Sequence, residues 1–204
     1  MPEDPETNLA RAETCVRRAK EAGALIVAFP EQFPTGWDPL SDTHLQETSG
    51  PVISVLQEYA RRYRIAVLGS IRERCNDGPR NTCVMIDRTG RVGAVFAKCH
   101  LFSPAGEDRV YVPGNEISLF PLSGMKCGIA ICYDLRFGAL FRLYERAGAG
   151  AVFVPAAWPA ERIQHWILLA RARALESRMY IVGINTTGTN VVGNYSGHSI
   201  VVDP

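Results

Sequence analysis

Apolar and polar positions follow two periods along the chain. From about Glu6 to Ala22, Leu9, Ala12, Val16 and Ala19 recur at helical spacing, Arg17, Arg18 and Lys20 gather near the end, and Gly23 stops the run. The run 24–29 (ALIVAF) is short and continuously apolar, as in a strand covered on both faces. Residues 51–63 predict a helix with Pro51 at its first position, and 65–71 a strand. Residues 81–98 read as a β-hairpin turning at Thr89-Gly90. Beyond it the pattern predicts strands over 125–132, 151–155, 179–185 and 198–204, and helices over 139–148 and 160–178. Strands and helices alternate without a linker, repeat or low-complexity tract, which predicts one α/β domain over residues 1–204 with a mixed sheet.

Composition narrows the picture mainly by exclusion. The 204 residues carry a formal net charge of +1, and no Lys/Arg block stands out, so neither nucleic acid nor an anionic membrane is the expected partner. No apolar run approaches the roughly 18 residues that span a bilayer. The N-terminus is acidic and polar, unlike a secretion signal. Six cysteines, at 15, 75, 83, 99, 127 and 132, match no zinc spacing and include no CxxC, so free thiols in a reducing cytoplasm are expected.

Chemistry concentrates where strands end. The segment CGIAICYDLRF (127–137) runs apolar to Cys132 and turns polar at once. Cysteine is among the most buried residue types, so Cys132 taken alone reads by default as a small core residue. In open α/β sheets, however, ligand sites lie beyond the carboxyl ends of strands, where Cys132 is expected and Cys127 is not. A thiol nucleophile needs a base, and acyl transfer needs donors for the oxyanion. Glu31 follows the strand in LIVAFPEQF, and Lys98 ends the hairpin in VGAVFAKCHLF. Each alone also reads as a solvated charge. Of the four histidines, His100 is expected beside Lys98 and His165 near a pocket rim, and nothing ties any of them to Cys132. Arg171 or Arg173 is expected to pair with Glu176 on a helix face.

The segments FPEQFPTGW, AKCHLF and GIAICYDLRF resemble the three signature segments of the nitrilase superfamily, the carbon–nitrogen hydrolases, in family order and separation. The resemblance spans essentially the whole chain. It implies an αββα sandwich and a catalytic Glu31–Lys98–Cys132 triad, with Glu107 in AGEDRVYVPG as a supporting carboxylate that helps position water. It implies no metal and no organic cofactor. The stretch from AAWPAERIQHW to YSGHSIVVDP is similar to the omega-amidase-like branch, whose members hydrolyse short 2-oxo dicarboxylic monoamides such as 2-oxoglutaramate to acid and ammonia. Tyr133, Arg136 and Trp158 are the expected substrate-binding residues. Arg136 suits either a substrate carboxylate or an internal salt bridge. An N-carbamoyl or deaminated-peptide amide is the alternative substrate, and an inactive binding fragment the alternative role. Family chains open with a core strand and continue past GHSIVVDP with strands and a tail that often helps assemble the dimer. Both ends are therefore expected to be lacking here, and a homo-oligomer is expected of the full-length chain. RFGAL (136–140) stands where the family more often has Pro-Glu after RF, which leaves the start of the next helix in question.

Overall fold

Asp4 opens the structure, a computed structural model that describes residues 4–204, by capping the first helix: its carboxylate accepts from the N–H groups of Glu6 and Thr7. That helix, α1, is Pro5–Glu21, with Pro5 where a missing N–H is harmless. α2 is Pro51–Tyr63. Leu9, Ala12 and Val16 of α1 and Ile53, Leu56 and Ala60 of α2 are buried against one sheet.

That sheet consists of β1 (Ile26–Ala28), β2 (Ala66–Glu73), β3 (Arg80–Ile86) and β4 (Val92–Ala97), in that spatial order. β1 and β2 are parallel, and β3 and β4 continue antiparallel. The alternation of strand side chains divides its core: Val67, Ile71, Val84 and Ile86 face the helices, while Leu68, Cys83, Met85 and Phe96 join the second sheet's core.

The remaining strands are β5 (Leu119–Leu122), β6 (Met125–Ile129), β7 (Ala151–Ala156), β8 (Tyr180–Asn185), β9 (Thr187–Thr189), β10 (Asn194–Ser196) and β11 (Ile200–Val202). The second sheet runs β11-β8-β7-β6-β5, with β6, β7 and β8 parallel and the two edges antiparallel. Its outer face carries α3 (Gly138–Arg146) and α4 (Ile163–Ser177). Gly128 lets α3 approach closely: a Cβ there would sit 2.5 Å from the Tyr144 ring. The Tyr144 hydroxyl donates to the carbonyl of Ile129, so the close approach also satisfies a strand-end acceptor. The layers are thus helix, sheet, sheet, helix, and β9 with β10 forms a separate antiparallel ribbon.

The pattern located every helix and the main strands. Most boundaries shift by one or two residues, and two shift because a 3₁₀ turn intervenes. The strand expected over 125–132 ends at Ile129, because residues 132–136 form a 3₁₀ turn. The helix expected over 160–178 starts at Ile163, after a 3₁₀ turn at Ala160–Arg162. α3 begins at Gly138 without a proline or a side-chain cap. β5, broken in pattern by Pro121, and the three-residue strands β9 and β10 carry too little periodicity to read from sequence.

The topology brings five chain segments to one edge of the sandwich. β1 and β4 both run parallel to β2, so their carboxyl ends share a side with the start of antiparallel β3. The carboxyl ends of β6 and β7 meet them from the facing sheet, as the hydrogen bonds below demonstrate.

Candidate active site

Glu31, Lys98, Glu107 and Cys132 converge at that edge, all buried. Lys98 follows β4 and donates from Nζ to Glu31 Oε1 at 2.8 Å and to Glu107 Oε2 at 2.7 Å, with Glu107 Oε1 at 3.0 Å. Glu107 lies in a 3₁₀ turn (Glu107–Arg109), where the N–H of Phe102 donates to its Oε2 at 2.6 Å. The Cys132 thiol sits beside Glu31 and Lys98, near enough for both charges to act on it, and the N–H of Ala157, just after β7, faces it. That same N–H donates to Glu31 Oε2 at 3.0 Å.

Asn81 was not anticipated from sequence. At the start of β3 its Nδ2 donates to Glu31 Oε1 at 2.8 Å and to Glu107 Oε1 at 3.1 Å, so one amide holds both carboxylates. Nothing in the sequence marks an asparagine near a hairpin's beginning for this task. The Ala157 N–H has no sequence signal either. Trp37 does lie in a quoted motif, FPTGW, and its ring stands 5.8 Å from Lys98 Nζ.

The backbone bearing the thiol adopts a conformation uncommon for a side chain. Cys132 has φ +46° at the head of the 3₁₀ turn Cys132–Arg136. Asp134 fixes that turn: its Oδ2 accepts from the N–H of Ile131 at 2.9 Å, and its Oδ1 from the N–H of His100 at 2.8 Å. The His100 ring Nδ1 is also 2.8 Å from Asp134 Oδ1, and the ring stacks on Phe137 at 3.7 Å. His100 therefore ties the Lys98 segment to the Cys132 turn and does not reach the thiol as a base. From α4, Arg173 donates to the carbonyls of Leu135 and Arg136, both at 3.0 Å, and also pairs with Glu176 as expected from sequence.

Electrostatics follow from burial and charge count. Burial is the largest influence on Glu31 and raises its carboxyl above the ordinary range, with the negative Glu107 adding to it and Lys98 opposing. Burial also works against ionised Glu107, yet Lys98 and the donors around it bring its carboxyl below the ordinary range. Burial disfavours the Lys98 ammonium, but Glu107 and Glu31 together override it and hold the lysine charged. The Cys132 thiol is pushed well up, by burial first and Glu31 second, so it rests protonated. Cys127, within β6, is pushed up by burial to about 11 and touches none of these groups. All six cysteines are free thiols.

Cys132 opens onto a cavity of about 440 Å³ walled by Trp37, Phe102, Tyr133, Trp158 and Tyr195. Trp158 is fixed through its backbone N–H to Asn185 Oδ1 at 2.7 Å and through Nε1 to the carbonyl of Arg162 at 2.9 Å. The Arg136 guanidinium lies 4.9 Å from the Trp158 ring centre and 5.8 Å from that of Tyr133. Its Nη2 is 3.4 Å from His165 Nδ1, and among the described residues no carboxylate ion-pairs with it. The internal salt bridge considered for Arg136 does not form. Tyr133, Arg136 and Trp158 all line the cavity. Tyr195, from β10, and Arg162 line it too; they lie within YSGHSIVVDP and AAWPAERIQHW, but nothing in those segments singles them out as cavity residues.

A thiol, a carboxylate placed to accept a proton, and an ammonium beside both are the parts that nucleophilic attack at a carbonyl or nitrile carbon requires. The carbon-nitrogen hydrolase family model matches residues 1–204, and the chain belongs to that family. It is a carbon–nitrogen hydrolase of the amidase type. It is 32% identical over 203 residues to a 2-oxoglutaramate amidase of Bacillus subtilis, covering 98% of this chain and 78% of the relative. It is 33% identical over 213 residues to omega-amidase NIT2 of Mus musculus, covering 97% and 75%. Among solved structures, the Nesterenkonia sp. AN1 amidase carrying acrylamide added at its active-site cysteine superimposes with a TM-score of 0.93 at 28% identity, covering 100% of this chain and 81% of that one.

Proposed function

We propose that the protein hydrolyses the terminal amide of a small carboxylated amide, an omega-amide of a 2-oxo dicarboxylic acid such as 2-oxoglutaramate, through a thioester on Cys132. The reading rests on one observation above all: a buried thiol beside a buried glutamate that is ion-paired to a buried lysine, under an aromatic cavity that offers Arg136, which among the described residues has no carboxylate partner. The names of the relatives support the substrate class.

As Cys132 sulfur bonds to the amide carbon, its proton passes to Glu31 and the carbonyl electrons move onto oxygen. The Lys98 ammonium and the Tyr133 N–H stabilise that oxyanion; one such donor is worth about 3–4 kcal/mol. When the carbonyl re-forms, the C–N bond breaks, nitrogen takes the proton from Glu31, and ammonia leaves. The acyl group remains on sulfur. A water then gives a proton to Glu31 as its oxygen attacks the thioester, and sulfur departs and recovers that proton. Glu31 thus alternates between base and acid, which suits a carboxyl raised above its ordinary range. Glu107 accepts at both oxygens from Lys98, Asn81 and Phe102, and in this reading it serves by keeping Lys98 charged and in position. Arg136 binds the substrate carboxylate.

Ammonia release from 2-oxoglutaramate, beside an N-carbamoyl amide, a deaminated-peptide amide and uncharged propionamide, tests the substrate. The first should be preferred. Arg136→Gln should raise its KM by about 10–100-fold, as loss of a charge-assisted hydrogen bond does, and leave propionamide turnover nearly unchanged. Equal loss on both substrates would remove Arg136 from the carboxylate role. Preference for either alternative amide would replace the substrate.

A cytoplasmic setting is proposed on the six free thiols. Among the described residues no helix is long and apolar enough to cross a membrane. Self-association is proposed on the family resemblance and on exposed Leu168 and Leu175, two turns apart on α4. Sedimentation should give a mass above one chain; a monomer at micromolar concentration would contradict it.

A further inference from the structure

The turn that carries Glu31 is short, irregular and buried; the carboxylate is held by Lys98, Asn81 and Ala157, while the next residue, Gln32, is gripped by one strand. Gln32, next to Glu31, has φ +47°, so the chain reverses there in a conformation that needs outside support. Ser70 and Arg72 of β2 supply it. They lie two residues apart, on the same side of the strand, and both are buried. Ser70 Oγ accepts the N–H of Gln32 at 2.6 Å, while Arg72 Nε donates to Gln32 Oε1 at 3.1 Å. Gly69, on the strand's other parity, leaves room for Phe33: a Cβ there would sit 2.7 Å from its ring.

Arg72 reaches further. Its Nη2 donates to the carbonyl of Gly36 at 3.0 Å, and its Nη1 to Ser41 Oγ at 2.6 Å, Thr43 Oγ1 at 3.1 Å and Thr43 O at 3.3 Å. One guanidinium therefore spans the loop from residue 32 to residue 43, including the residue before Trp37. Ser41 in turn links to the other carboxylate's segment: its carbonyl accepts from the Tyr111 hydroxyl at 2.7 Å, and the Tyr111 N–H bonds the Glu107 carbonyl at 2.9 Å. A buried cation is costly unless hydrogen-bonded, and among the described residues no carboxylate ion-pairs with Arg72. Its compensation comes wholly from the base-bearing loop. Only a planar fork of five N–H donors meets acceptors at four separate positions; a lysine offers three donors at one point.

We infer that Ser70 and Arg72 are positioning residues for the reaction, acting through Gln32 to hold Glu31 against the Cys132 thiol. The inference rests on the proposed role of Glu31, and the test separates the two. Ser70→Ala and Arg72→Lys are compared with Glu31→Gln for kcat, KM, melting temperature and the rate at which iodoacetamide alkylates Cys132 relative to exposed Cys15. Misplacing a reacting group by about an ångström costs on the order of 10²-fold, so each positioning variant should lose about tenfold or more in kcat. KM should change far less, and Cys132 alkylation should slow while Cys15 is unaffected. Arg72→Lys should not rescue activity despite its charge. If Arg72→Lys does not fold, Ser70→Ala decides. Variants with a lowered melting temperature but full kcat and alkylation rate would reduce these residues to structural supports and overturn the inference. Full activity in Glu31→Gln would instead overturn the base assignment beneath it.

Discussion

Cys132→Ala should lose turnover by at least about 10⁴-fold, because in the proposed mechanism it removes the nucleophile and leaves only binding and oxyanion stabilisation. The same change alters stability by only about 1 kcal/mol. Alanine keeps the β-carbon of a residue already at φ +46°, so the backbone is strained equally before and after. It also removes a thiol that rests protonated beside Glu31, whose carboxylate keeps its hydrogen bonds from Lys98, Asn81 and the Ala157 N–H. Activity and melting temperature measured on one preparation separate the two effects. A variant that unfolds would make Cys132 the core residue its composition class suggests; one that keeps turning over would move the chemistry elsewhere.

Lys98→Met acts on both stability and rate. The ammonium is the one cation in contact with Glu31 and Glu107 among the described residues, and all three side chains are sealed from solvent. Methionine fills a similar volume without the charge. Two carboxylates are then left facing each other through Asn81, and breaking a buried ion pair from one side costs about 3–5 kcal/mol. The sign with pH follows from Glu107. Lys98 holds its carboxyl below the ordinary value, so it contributes stability above roughly pH 4.3, the unfolded value, and that contribution fades as pH falls through the lower folded value. Without Lys98 the contribution vanishes, and urea unfolding should find the variant's deficit largest near neutral pH and smaller in acid. Loss of an oxyanion donor alone lowers kcat by about 10²–10³-fold. A variant as stable as the parent at pH 7 would contradict the charge arrangement.

The residues legible in sequence share a property. Glu31, Lys98 and Cys132 each interrupt an apolar run where a strand gives out, so pattern and chemistry point to the same letters. Arg136 was legible as a candidate, and that no carboxylate among the described residues ion-pairs with it could be learned only from the fold. What stayed hidden is carried by backbone or by strand parity. Ala157 acts through an N–H that any residue has. Asn81 and Arg72 look like polar residues at strand ends, yet strand pairing turns them inward beside Glu31 and Gln32. The ribbon that brings Tyr195 to the cavity is built from three-residue strands too short for a period to register.

The thioester itself is the most direct measure of the whole account. Acid quench in the first turnovers with 2-oxoglutaramate, followed by peptide mass analysis, should find the acyl group on the peptide containing Cys132. The adduct should disappear as the acid product accumulates. Ammonia released at full rate with no adduct on any cysteine, or with the acyl group on Cys99 or Cys127, would contradict it.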